Sequence, residues 1–507
     1  MGFDDILGLT GGFGRHQWKL YFLFIIPSAC TIFLQVGNVV LTVPPKHRCR
    51  SPYENISTYG LNETALKHGY HYDVNTNRYS SCSYLNNSIE MKCDHYIFDN
   101  AFGRTLSVEF ELICKKSYLI SLTNLLTMFG CILGGSILGF ASDKWGRKRI
   151  FLICAYVYII LGTAILFSLN IWMILVLKTL TGFVVSGMLS AGYVLVLESS
   201  EPSKRVLAGT SILVSYIVNT MLIGLFGYIS PTWKHLQLIY TSFGLPCLLY
   251  YWLVPESARW LISKNNISKA KEIILDIAKE NRVVLLSNNL DSLLENVCDT
   301  DKGLPKQSTI IEALKYPRLR LRILILLFLN FTLFTSIFGI TWNVPKLSGN
   351  LYVNVVLMGV VNIPSFLITL IPGQKLGRRL VISLYCFLAA IFLLFPYIRP
   401  SDSIFVIFWT FASKVCIGAT INLEYALSTE IYPTVLRNSG IGCDSMAGGL
   451  GSAVSPFFFY LDVFWKPLPH VLFTILLISS GTLVWLLPET FGKKLPETLE
   501  DGEEFGK

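Results

Sequence analysis

Three charged signatures occur twice in this chain, in the same order and at a nearly constant offset. Gly146-Arg147-Lys148-Arg149 returns as Gly377-Arg378-Arg379, 231 residues on. Glu198 and Arg205, seven apart, return as Glu430 and Arg437 with the same spacing and an offset of 232. Pro255-Glu256-Ser257 returns as Pro488-Glu489-Thr490, offset by 233. So small a drift marks two copies of one structural unit. Each signature closes a long apolar run, so the repeated unit is a set of membrane helices.

Charged residues make up 15% of the chain and hydrophobic residues 52%, with a mean hydropathy of +0.52. Soluble domains carry about 25% charge. About twelve apolar stretches are each long enough to cross ~30 Å of hydrocarbon. In the first half they fall near 18–41, 118–141, 150–168, 171–197, 207–229 and 236–254. In the second half they fall near 321–344, 352–372, 379–398, 403–427, 438–460 and 469–487. The expected fold is an all-α polytopic bundle of twelve transmembrane helices, in two six-helix halves related by pseudo-twofold symmetry. The net charge of +9 sits in short loops beside the spans, which is a topology signal and not a nucleic-acid one.

Lys144, Arg147, Lys148 and Arg149 place the loop after the second span in the cytoplasm. Counting outward puts both termini inside. The expected division is a cytoplasmic N-terminus (1–17), a first half (18–254), a cytoplasmic helical linker (255–320), a second half (321–488) and a cytoplasmic tail (489–507). Loop 42–117 falls outside. It carries sequons at Asn55, Asn62 and Asn86, and four cysteines, Cys49, Cys82, Cys93 and Cys114. An even cysteine count facing an oxidising space implies disulfides, with three pairings open. The segment from Ser268 to Lys279 has apolar residues at helical spacing and reads as an amphipathic helix.

Charges at helix ends anchor a bundle and set its topology, but topology does not require the same Glu–Arg spacing twice. The repeat points to a cytoplasmic gate. Asp143, Arg147, Arg149, Glu198, Arg205, Glu256 and Arg259 are expected to face Arg378, Arg379, Glu430, Arg437 and Glu489 across the two halves. Arg–carboxylate pairs are strong and directional when partly dehydrated. Tandem halves rocking about a central site is a common plan of secondary transport.

Ionisable groups at mid-membrane cost roughly 2.5–3.5 kcal/mol on insertion scales. Lys178, Lys414, Glu424 and Asp444 are the clear cases. They read either as internal ion pairs, for example Lys414 with Glu424 or Asp444, or as a substrate or proton-coupling site. Tyr193, Tyr216, Asn330, Phe338 and Asn362 lie in or near spans four, five, seven and eight. Aromatic faces attract organic cations at about 0.5–2 kcal/mol each. The seven histidines show no metal-ligand spacing, and no nucleophile motif or catalytic carboxylate pair stands in a loop. No enzyme activity, metal or cofactor is expected, and a seven-span receptor would not repeat its inner loops.

Several longer motifs run through the whole chain. They are Phe3-Asp4-Asp5, Gly12-Phe13-Gly14-Arg15, the four-cysteine loop, Gly139-Phe140-Ala141-Ser142-Asp143-Lys144-Trp145-Gly146 and Pro255-Glu256-Ser257-Ala258-Arg259-Trp260. Ser348-Gly349-Asn350-Leu351-Tyr352, Glu430-Ile431-Tyr432-Pro433-Thr434-Val435-Leu436-Arg437-Asn438 and Leu487-Pro488-Glu489-Thr490 complete the set. In these the chain resembles the organic cation, organic anion and carnitine transporters of the major facilitator superfamily. The resemblance implies a major facilitator fold and plasma-membrane transport of small organic ions by alternating access, with both termini inside. It implies a pocket from Tyr193, Tyr216 (for a phenylalanine) and Phe338, and a basic tenth-span position at Lys414. The two acids typical of cation transporters are replaced by Gly449 and Asn362. Glu424, with Asp444 as the other nearby acid, is therefore the expected counter-charge for a cationic or zwitterionic amine. An organic anion carrier and a non-transporting sensor or scaffold are the alternatives. The partners are the small organic ion and the bilayer, with no nucleic acid; any coupling ion stays open.

Overall fold

The computed structural model describes residues 3–50, 72–73, 78–79, 81–86, 89–93, 95–99, 103–201, 205–283, 309–370, 377–490, 493 and 496–505. Asn55 and Asn62 lie outside these residues, as do the side chains of Asn86 and Arg205.

Nine helical segments among the described residues are long and apolar enough to cross a membrane. They run Arg15–Leu41, Cys114–Trp145, Arg147–Leu166, Ile171–Glu198, Pro317–Lys346, Leu351–Thr369, Arg378–Tyr397, Ser403–Ile431 and Leu468–Leu486. Helix Arg205–Ile229, the segments from Trp233 to Leu253, and helix Arg437–Tyr460 supply spans five, six and eleven. Polar caps start several of these. The Asn170 side chain accepts from Met173 N at 2.8 Å, and Asp402 from Ile404 N and Phe405 N, both at 3.1 Å.

Several spans depart from regular α-helix, and in three of them the local reason is plain. Pro27 sits inside the first span, where a proline cannot donate to the carbonyl four residues back. The freed Leu23 carbonyl accepts the Tyr250 hydroxyl from span six. Span six breaks after Ser242 into a 3₁₀ turn over Leu245–Leu249 containing Pro246. Span eight breaks between Leu351–Val360 and Asn362–Leu370, just before Pro364. There the Asn362 amide donates to the Met358 and Gly359 carbonyls at 2.9 and 3.1 Å.

The bundle has two unlike ends. One carries the cysteine loop and is the loop end; the other carries the repeated signatures and is the motif end. At the motif end the first half packs its own core from Leu20, Phe24, Phe151, Met188, Leu195, Tyr250 and Val254. The second half packs a separate core around Leu319, Leu326, Tyr432, Phe473 and Leu487. At the loop end one core draws on both halves, joining Phe33, Val40, Ile223 and Tyr240 to Val344, Leu351, Val355 and Met358. Glycines let these backbones approach. A Cβ on Gly224 would lie 2.7 Å from Val356 Cγ2 and 2.8 Å from the Tyr352 carbonyl oxygen.

The loop end is closed over by short antiparallel pairs, His47–Cys49 with Tyr96–Phe98 and Ser83–Asn86 with Ile89–Lys92. Disulfides join Cys49 to Cys93 and Cys82 to Cys114. His47 lies beside Cys82 and Cys114, but their sulfurs are committed to that bond. At the motif end, helix Ile267–Glu280 packs Ala270 and Ile274 against Ile6, Leu7 and Leu261. Asn281 pegs it down: its amide donates to the Thr10 carbonyl at 3.0 Å and its Oδ1 accepts His16 N at 3.0 Å. The tail helix Leu499–Glu504 docks on the start of span seven. The Glu503 carboxylate accepts Arg318 N and Leu319 N, and Arg322 donates to the Gly502 and Phe505 carbonyls.

Candidate functional site

The repeated signatures build the same device twice. Gly146 and Gly377 both take positive φ, +106° and +82°, each just before a helix. In the first half Glu256 Oε1 accepts Arg147 N at 3.0 Å and Lys148 N at 3.1 Å. In the second half Glu489 accepts Arg378 N at 3.0 Å and Arg379 N at 3.3 Å. Both carboxylates thus cap a helix N-terminus, where free N–H groups and the helix dipole favour an anion. Both glycines are also needed for space. A Cβ on Gly146 would stand 2.6 Å from Glu256 Oε2, and one on Gly377 2.8 Å from Glu489 Oε2.

The arginines extend each device sideways. Arg147 pairs with Asp143 at 2.9 Å and Glu198 at 3.1 Å, and Arg378 pairs with Glu430 at 2.7 Å. Arg379 donates to the Trp485 and Leu487 carbonyls and stacks 4.9 Å from the Trp485 ring. Arg149 and Arg259 are exposed. Each of these ion pairs joins residues of one half, whereas the sequence suggested pairs across the halves. The physical reason is reach: each carboxylate belongs to the helix packed directly against its arginine, and at this end each half keeps its own core. Buried nitrogens Nε and Nη2 of Arg437 and Oε2 of Glu430 make no hydrogen bond among the described residues.

Deeper in the second half lies a buried polar network. Glu424 is 3% exposed and Asp444 4%. Glu424 Oε1 accepts the Asn330 amide of span seven and the Ser428 hydroxyl, both at 2.6 Å. Asp444 Oδ1 accepts the Tyr432 hydroxyl at 2.9 Å, while its Oδ2 is buried without a partner among the described residues. Ser428 and Tyr432 were not singled out from the sequence. Their positions four and eight residues after Glu424 put all three on one helix face, a signal that could have found them.

The two buried lysines differ. Lys178 donates to Asn38 Oδ1 at 2.8 Å and Gln237 Oε1 at 3.2 Å, tying spans one, four and six together. Lys414 is 1% exposed and its Nζ has no hydrogen-bond partner among the described residues. It is not ion-paired with Glu424 or Asp444. Ten helical residues separate it from Glu424, about 15 Å of rise.

The remaining expected pocket residues are spread out. Tyr193 is half-buried, 6.1 Å from the Phe24 ring. Tyr216 packs on the shared core, and Phe338 lies 6.4 Å from the Trp342 ring. Asn362 is occupied by its own helix. Gly449 packs on the opposite half, where an added Cβ would lie 2.6 Å from Ile132 Cγ1 of span two.

Known proteins with this architecture are numerous. Residues 56–501 match the family model "Sugar (and other) transporter". An organic cation transporter protein of Drosophila melanogaster is 34% identical, the match covering 100% of this chain and 95% of that protein. Solute carrier family 22 member 3 of Mus musculus is 30% identical over 99% of this chain and 96% of its own. Organic cation/carnitine transporter 2 of Homo sapiens is 29% identical, covering 98% and 93%. Among solved structures, the xylose transporter XylE from E. coli in an inward-open conformation aligns with a TM-score of 0.64. That alignment has 15% identity and covers 96% of this chain and 100% of that one, a likeness of fold. The chain therefore belongs to the sugar (and other) transporter family of the major facilitator superfamily, in its organic cation and carnitine transporter branch.

Proposed function

We propose that this chain carries small organic cations, or zwitterions bearing an amine, across the plasma membrane by alternating access. Both termini, and with them the motif end, face the cytoplasm in this reading. The observation that carries it is Glu424, a buried acid met by two neutral donors and by no cation among the described residues. A cationic centre docking there supplies the counter-charge that the protein withholds. Relatives that match the full chain are named as organic cation and carnitine transporters, which supports this substrate class. The repeated charge clusters stiffen each half, and the halves rock against one another, opening and closing the shared loop-end core.

Lys414, whose Nζ has no partner among the described residues, favours substrates that also carry a carboxylate. The test is uptake of labelled tetraethylammonium and of a labelled betaine into cells expressing the full chain. Glu424→Gln is expected to cut uptake of both at least tenfold, about 1.4 kcal/mol. Lys414→Gln is expected to cut betaine uptake selectively. Undiminished uptake of both solutes by Glu424→Gln overturns the assignment.

A further inference from the structure

Glu424 and Asp444 form an acid pair with too few partners. Glu424 and Ser428 stand four apart on one face of span ten, Tyr432 follows four further on at its C-cap, and Asp444 faces them from span eleven. Ser428 lies within hydrogen-bond reach of both acids, and the acids act on each other electrostatically. Three neutral groups serve them: the Asn330 amide and the hydroxyls of Ser428 and Tyr432. A serine hydroxyl has a single proton to donate, so it cannot donate to both carboxylates at once. One oxygen, Asp444 Oδ2, has no partner among the described residues.

No cation among the described residues balances the pair. The ionisable groups around it among the described residues are Tyr425 on span ten, Tyr432 at that span's C-cap and Cys443 on span eleven. Tyr193 approaches Tyr425 from the opposite half. Lys414 is ten residues along span ten and Arg437 seven along span eleven, about 15 and 10 Å of helix away. Two like charges cannot share a dry site served by neutral donors alone; a proton or a cation must neutralise one.

We propose that Glu424 and Asp444 hold one proton between them when the site is empty, and release it when a cation docks. Transport is then an exchange of one proton for one monovalent cation. The proton leaves the carboxyl oxygen for water at the open end, the cation takes its place, and the charge of the site is unchanged. The exchange is electroneutral. The inference rests on Glu424 being the cation's counter-charge.

The full chain in liposomes containing pyranine, given labelled tetraethylammonium, provides the test. An acidic lumen is expected to drive accumulation up to about tenfold per pH unit, since one unit is worth 1.36 kcal/mol. The dye is expected to report luminal alkalinisation as the cation enters. A valinomycin potential alone is expected to drive nothing. In Asp444→Asn the stimulation by the pH gradient disappears, whatever the absolute rate. Should that variant fail to fold, Tyr432→Phe keeps both acids and is expected to keep the stimulation while moving its pH midpoint. Wild-type uptake that follows the potential and ignores the pH gradient overturns the exchange but leaves the cation assignment standing. Gradient stimulation kept by Asp444→Asn, or a Tyr432→Phe midpoint identical to wild type, overturns the role of the pair. Absence of tetraethylammonium accumulation under either gradient overturns both readings.

Discussion

The loop end and the motif end of this bundle are held by opposite means. At the loop end the two halves meet through apolar side chains and glycine-thinned backbones, sharing one core. At the motif end the strong contacts are charged, short and confined within each half. Apolar surfaces part and meet again without stranding a charge, whereas a dehydrated ion pair broken apart leaves one. In the proposed cycle the seal that opens and closes is therefore the apolar one, and the ion pairs work as rivets that keep each half rigid while it swings.

The most damaging challenge to this contrast is a side chain in the seal. Gly224→Leu forces a clash with Val356 and the Tyr352 carbonyl, overpacking of about 1–3 kcal/mol. Uptake is expected to fall by tenfold or more while the protein still elutes at the wild-type position on size exclusion. Normal uptake would show that the halves need not meet there.

A smaller effect is expected from the rivets. Glu256→Gln and Glu489→Gln each weaken charge-assisted bonds to three backbone N–H groups, a loss of about 1–2 kcal/mol apiece. Thermal unfolding should register matching decreases in the two variants. A large inequality would mean that the repeats are equivalent in sequence only.

The smallest effect concerns the loop end's own polar contact. Burial pushes the Glu109 carboxyl up, but hydrogen bonds from Lys234 at 2.9 Å and Trp233 at 2.6 Å outweigh it and hold the group below its ordinary 4.5. A depressed carboxyl contributes stability above its ordinary value and loses it as pH falls through the lower folded value. Melting points at pH 7 and pH 3 should therefore differ slightly less in Glu109→Gln than in wild type. An equal difference removes this contact from the account.

Much of the fold was legible because the membrane demands it. Runs of apolar residues and the spacing of Gly146, Glu198 and Glu256 against Gly377, Glu430 and Glu489 needed no tertiary knowledge. Partner choice was not legible. Nothing in the spacing says that Glu256 turns back onto the amides of Arg147 and Lys148 in its own half and not toward Arg378. Lys178 illustrates the same limit, since its neutral partners Asn38 and Gln237 lie 140 and 59 residues away. Asp444 likewise is held by Tyr432, the C-cap residue where the chain turns from span ten toward span eleven. The face shared by Glu424, Ser428 and Tyr432 was readable and went unread, because serines and tyrosines in membrane helices usually satisfy themselves locally.

The docking of the tail helix on span seven has a practical side. With Arg322 gripping two of its carbonyls and Glu503 gripping the start of the span, that helix has little slack of its own. A spin label there rides with the second half, and a second label on the helix pegged by Asn281 rides with the first. The separation between the two labels, followed by pulsed dipolar spectroscopy, then works as a protractor for the angle between the halves.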